Sequence, residues 1–144
     1  MPSFLLDTNC IIAAVCSWHE HHGRAAGEIS RRVGRGETLL VAAPAIVEAY
    51  AVLTRLPAPH RLAPGDAFTL LETNFLEGST LVALDGPSYR SLLSRSKERG
   101  ISGGRVYDGV IAACAVKGRA TAILTFNDEH FRPFAEGLEI VVPA

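Results

Sequence analysis

The chain has 144 residues, of which 48% are hydrophobic and 20% charged, with a formal net charge of −1. That length and apolar share suit one ordinary core, so the expectation is a single domain over residues 1–144. The near-neutral charge argues against a protein that grips nucleic acid through a global field, but it allows a local basic rim.

Phe4–Leu6 predicts a short buried strand, and after the turn at Asp7–Asn9 a helix follows over Cys10–Trp18. His22–Val33 predicts a second helix, with Ala25, Ala26, Ile29 and Val33 on one side and Gly34 and Gly36 as its stop. Leu39–Ala42 predicts a strand. Pro44 suits the first turn of a helix running to about Leu56, ended by Pro57 and Pro59. Pro64–Leu76 predicts a helix closed by Gly78, Thr80–Leu84 a third strand, and Ser88–Arg99 an amphipathic helix. Gly103 and Gly104 lead into a helix to about Lys117. Ala122–Leu124 predicts a fourth strand, Asp128–Phe134 a short helix, and Leu138–Val142 a last strand. Short apolar strands alternating with helices predict a parallel sheet covered on both faces, with any site beyond the carboxyl ends of the strands.

No apolar run is long enough for a membrane helix, and no basic segment precedes a signal-like core. The expectation is a cytoplasmic protein with no membrane partner. Cys10, Cys16 and Cys114 are odd in number and sit among small apolar residues, which predicts buried free thiols rather than a disulfide framework or a zinc cluster.

Three acids stand out. Asp7 directly follows the first strand. Glu48 falls in an early turn of its helix, and so does Asp108, each flanked by apolar residues. Each acid alone fits a helix cap or a helix dipole, worth about 0.3–1 kcal/mol at a dipole. Together, at the tops of three α/β units, they can converge on one sheet edge. Converging carboxylates repel unless a cation joins them, and hard Mg²⁺ or Mn²⁺ prefers oxygen ligands. In "ILTFNDEHF", Asn127 and Asp128 follow a strand and suit either a fourth site position or a cap.

"LLDTN", Glu48 in "PAIVEAYAVLTRLP", Asp108 in "VYDGVIAACA" and "ILTFNDEHF", in this order and spacing, resemble a PIN domain. The resemblance is closer to the VapC ribonuclease toxins of bacterial toxin–antitoxin pairs. It covers nearly the whole chain and implies a PIN-like three-layer α/β/α sandwich with a central parallel β-sheet. It also implies an Mg²⁺-dependent endoribonuclease, with Mn²⁺ as a substitute, in which acid-bound metal activates water to cleave RNA such as tRNA or rRNA. Asp7, Glu48 and Asp108 match the three catalytic and metal-site acids, and Thr8 matches the hydroxyl residue that supports the first. Asn127 fits the fourth metal position by spacing, and Asp128 follows it; the two remain alternatives. A VapB-like antitoxin and a homodimer are implied as partners, with the helices at Pro44–Leu56 and Pro64–Leu76 as candidate dimer surfaces.

Arg55 and Arg105 flank the helices that carry Glu48 and Asp108, so either is a candidate contact for an RNA phosphate or an antitoxin tail. "WHEHH" (Trp18–His22) falls between two helices and lacks the i, i+4 histidine pair of zinc hydrolases. It reads as a solvated loop or a rim of the substrate site. The competing functional reading is a catalytically weak PIN-like module that binds RNA or protein.

Overall fold

Five short strands form a fully parallel sheet in the order β3-β2-β1-β4-β5. They are β1 (Ser3–Leu6), β2 (Thr38–Ala42), β3 (Thr80–Val82), β4 (Ala122–Leu124) and β5 (Glu139–Val141). The structure is a computed structural model and describes residues 2–134 and 137–144. Parallel strands need helical crossovers, and these cover both faces. One group of helices is α1 (Thr8–Val15), α2 (His22–Gly34), α3 (Ala43–Arg55) and α4 (Pro64–Leu71). Here α1 packs on α2 and α3, and α3 packs on α4. The other group is α5 (Gly86–Arg99), α6 (Arg105–Lys117) and the single turn α7 (Asp128–Phe131), with α6 packed between α5 and α7. This is the expected three-layer α/β/α arrangement.

The central strand explains the apolar opening of the chain. Phe4, Leu5 and Leu6 are all fully buried, because β1 has a strand on each side and helices on each face. From β1 the chain steps to β2 and β3 on one side, and later returns to β4 on the other. The strand order therefore reverses between β1 and β4, and a crevice opens there at the carboxyl edge. No helix among the described residues is long and apolar enough to cross a membrane. The three cysteines are free and buried, and burial raises all three thiols.

Several element ends differ from expectation for local reasons. Helix α1 stops at Val15, because Cys16 turns extended and stays buried while Trp18 leaves to stack on His60. The helix expected over Pro64–Leu76 is α-helical only to Leu71. Glu72–Leu76 is a π-helical turn closed by the Glu77 N–H on the Glu72 carbonyl, and the Asn74 amide also donates to the Leu70 carbonyl. Helix α5 starts two residues early, at Gly86, because the Asp85 carboxylate accepts the Ser88 N–H at 2.8 Å as an N-cap. The edge strands β3 and β5 are trimmed to Thr80–Val82 and Glu139–Val141.

Helix α6 approaches the sheet most closely at its end. A Cβ on Gly118 would lie 3.0 Å from Leu40 Cδ1 and 3.1 Å from Val82 Cγ2. Glycine there lets the helix close onto β2 and β3. Gly118→Val should therefore destabilise the fold by about 1–3 kcal/mol through overpacking, read as a lower urea midpoint with an unchanged slope. A midpoint equal to that of the unaltered chain would show that the contact gives way without cost.

Candidate active site

Asp7 is the first residue beyond β1, and Thr125 is the first beyond β4. Their strands are in register, with Leu6 opposite Leu124, so the two side chains meet across the crevice. The Asp7 N–H extends the ladder to the Leu124 carbonyl at 2.9 Å. The Thr125 hydroxyl donates to Asp7 Oδ2 at 2.8 Å, and the Thr8 N–H donates to Oδ1 at 2.7 Å. Asp7 thus occupies the N-cap position of α1, but both of its carboxylate oxygens are held. Only 7% of Asp7 is exposed, and Thr125 is fully buried.

Helix α3 brings Glu48, and helix α6 brings Asp108, to the same cleft. The cleft holds about 510 Å³ and is lined by Asp7, Thr8, Glu48, Tyr89, Tyr107 and Asp108, among others. A hollow of about 600 Å³ between α5 and α6 is larger but contains none of the three acids, so convergent chemistry favours the smaller one. Burial pushes the Asp7 carboxyl up to about 6; bonds from Thr125 and Thr8 oppose this, and nearby Asp108 and Glu48 push the same way. Burial likewise raises Asp108, with His130 and Arg105 opposing and Glu48 adding. His130 Nδ1 lies 3.6 Å from Asp108 Oδ2.

The sequence-predicted residues are distributed unevenly. Asp7, Thr8, Glu48 and Asp108 line one cleft. Thr8 holds Asp7 through its backbone, and the supporting hydroxyl is that of Thr125. The Asn127 N–H donates to Thr125 Oγ1 at 3.0 Å, while Asp128 Oδ2 pairs with Arg132 at 2.6 Å. Neither lines the cleft. Arg105 opens α6, one turn before Asp108, whereas Arg55 closes α3 two turns beyond Glu48. Among the described residues, no three His, Cys, Asp or Glu side chains gather closely enough to surround one ion.

Sequence reasoning did not anticipate the bond from Thr125 to Asp7 or the approach of His130 to Asp108. The signal for Thr125 was its offset: it follows β4 as Asp7 follows β1. His130 needed the packing of α7 on α6, which no local pattern displays.

The PIN domain family profile matches residues 4–136. Ribonuclease VapC40 of Mycobacterium tuberculosis is 39% identical over 119 residues, covering 83% of this chain and 82% of the relative. Ribonuclease VapC27 of the same species is 30% identical over 145 residues, covering 99% of this chain and 98% of the relative. Among solved structures, a chain of VapBC2 from Rickettsia felis, bound to a promoter DNA fragment, superposes with a TM-score of 0.71 at 14% identity, over 99% of each chain. Mycobacterium tuberculosis VapC20, described as a sarcin-ricin loop cleaving toxin, gives 0.69 at 15% identity, over 97% of this chain and 99% of that one.

The proton affinity of Asp7 has a sign that can be tested. Its carboxyl sits at about 6 when folded against an ordinary 3.8. Between those values the folded chain binds more protons than the unfolded one. Stability without divalent cations should therefore fall as pH rises from about 4 to about 6, then level. Asp7→Asn should remove that fall and gain roughly 2–3 kcal/mol at pH 7. Urea melts across this range in a chelator check it, and a variant less stable than the parent at pH 7 would make Asp7 a purely structural cap.

Proposed function

The chain belongs to the PIN domain family, and on that premise we propose that Asp7, Glu48 and Asp108 are the active site of its endoribonuclease activity. It is a VapC-type ribonuclease, the toxin member of a toxin–antitoxin pair. The observation that carries the site assignment is that three carboxylates from three distant segments face one cleft at the strand-order reversal.

The donor set is anionic and made of oxygens alone, which suits a hard divalent cation such as Mg²⁺, with Mn²⁺ as a substitute. Asp7, Glu48 and Asp108 would hold such an ion, since Mg²⁺ usually needs only a few protein carboxylates. A divalent ion held by Asp7, Glu48 and Asp108 would supply Lewis acidity and charge neutralisation at the scissile phosphate. The chain's own residues set the geometry. Thr8 and Thr125 fix both oxygens of Asp7, so its orientation is decided before RNA arrives. His130 stands beside Asp108 and orients it, and Arg105 offers a cation to a neighbouring phosphate. Thr125 is thus a positioning residue for Asp7.

The fourth position is read as Thr125 with the Asn127 backbone, since Asp128 is engaged by Arg132. The substrate is read as a structured RNA, tRNA or rRNA, in the cytoplasm, with the whole chain acting as one domain. A homodimer through α3 and α4 is supported by exposed Tyr50 and Phe68. A VapB-like antitoxin would neutralise the cleft with an Arg or Lys side chain in place of the metal's charge. Raising Mg²⁺ at matched ionic strength should then weaken inhibition in the purified pair. Inhibition indifferent to Mg²⁺ would show that the antitoxin acts by shape. That no three ligating side chains gather around one point among the described residues favours one alternative, a catalytically weak RNA- or protein-binding module.

Cleavage assays separate these readings. Asp7→Asn and Asp108→Asn should each lower Mg²⁺-dependent RNA cleavage by at least about a hundredfold. Thr125→Val should lower it by about ten- to a hundredfold, and Thr125→Ser should restore most of it. Full activity in Asp7→Asn, or cleavage that persists in chelator, would refute the assignment.

A further inference from the structure

The histidine-rich segment at Trp18–His22 is not absorbed by the acidic cleft. The structure makes it part of a row of rings. His60 stacks on Trp18 with centroids 4.1 Å apart and planes 22° apart. Trp18 neighbours His19 at 5.9 Å, and His19 neighbours His21 at 5.6 Å. His21 then stacks on Phe126 at 4.6 Å and 27°. Phe126 is bonded to Thr125, whose hydroxyl holds Asp7, and its own N–H reaches Asn9 Oδ1 at 3.4 Å. Five rings from three separate segments thus link an exposed indole to the segment beyond β4 that also carries Thr125.

This row is unlike ordinary core packing. The indole is the chain's one tryptophan and is 46% exposed, and His60 is exposed beside it. Apolar collapse alone does not hold a large ring at the surface with a solvated partner. Exposed cations sit at both ends: the Arg24 guanidinium lies 5.3 Å over the Phe126 ring, and Arg61 follows His60 in the chain. The two end pairs are stacked and the two inner pairs tilted, so the row offers its exposed end at His60 and Trp18, flanked by cations, and an unpaired strand can extend such a row by stacking a base there. Bases stack on aromatic faces, and the phosphates between them take arginine.

We propose that Trp18 and His60, the exposed end of this row, form a stacking platform for unpaired bases of the RNA strand flanking the scissile phosphate, with His19, His21 and Phe126 supporting it from behind. The proposal rests on the ribonuclease reading and deepens it, because it makes the preferred substrate a single-stranded or looped segment rather than a duplex.

The single indole makes a direct test possible. Purified Asp7→Asn protein is titrated with a short single-stranded oligouridylate, with the same sequence in a duplex, and with a ribose-phosphate oligomer lacking bases. The single strand should quench Trp18 emission saturably, and the other two should not. Trp18→Ala should weaken single-strand binding, read by anisotropy of a labelled oligomer, by roughly tenfold, and Trp18→Phe should recover most of it. In the chain with Asp7 intact, Trp18→Ala should raise KM more than it lowers kcat. Binding without quenching, equal quenching by the base-free oligomer, or an unchanged affinity in Trp18→Ala would overturn the platform. So would a Trp18→Ala variant that binds RNA normally but escapes its antitoxin, which would make the rings a protein-docking surface. Quenching does not need cleavage, so a chain that stacks RNA without cutting it defeats the ribonuclease reading, and one that cuts without stacking defeats the platform.

Discussion

The hydrogen bond from Thr125 to Asp7 joins the two halves of the sheet at the point where strand order reverses. A carboxylate that is almost wholly buried is costly unless donors reach both oxygens. Here a backbone amide serves one oxygen and a threonine hydroxyl serves the other. The donors come from α1 and from the chain beyond β4, so the bond pair requires β1 and β4 to be adjacent and in register. The requirement extends outward. The Asn127 N–H donates to the Thr125 hydroxyl, so the turn leaving β4 is also fixed by the position of Asp7.

That arrangement holds Asp7 in place without relieving it. Desolvation remains the largest influence on its carboxyl, ahead of both bonds, and the neighbouring acids add to it. The fold therefore holds an acid that would be more comfortable protonated. Such a group weakens the apo protein at neutral pH and strengthens any state in which a cation arrives. Perturbed acids of this kind cluster at functional sites because the same desolvation that disfavours their charge sharpens their response to a metal or a proton.

Most of the fold could be read from the sequence, because both faces of the sheet are covered. Apolar runs such as Phe4–Leu6 and Ala122–Leu124 then have no alternation to obscure them, and the glycines and prolines between them mark the helix ends. The acids could be singled out for a related reason: Asp7 directly follows a strand, and Glu48 and Asp108 fall in early turns of their helices. What stayed hidden depended on partners. Thr8 and Thr125 are both hydroxyl residues beside strand ends, and only the β1–β4 register shows which hydroxyl reaches Asp7. Asp128 looked as available as Asn127 until α7 turned its carboxylate onto Arg132, one helical turn away. The π-helical turn at Glu72–Leu76 keeps Leu71 and Phe75 buried, as an α-helix would, so hydrophobic spacing alone cannot distinguish the two.

Asp128 pairs with Arg132 and does not line the cleft, which bears on the charge there. With that acid withdrawn, the cleft is lined by three carboxylates rather than four. Around one of them, Asp108, Arg105 and His130 offset part of the charge. One divalent ion would leave a residual of about one negative charge before those offsets, close to balance once Arg105 is counted. A cleft so near neutrality would not repel an RNA phosphate, although its donors are all anionic. It would also gain little from binding a second ion unless the RNA brought its own oxygens. The cations that draw RNA in must then lie outside the cleft. Arg105, exposed at the start of α6 one turn before Asp108, would be such a cation. The near-neutral chain can serve a polyanion in this way because attraction is placed at the rim and neutralisation at the centre.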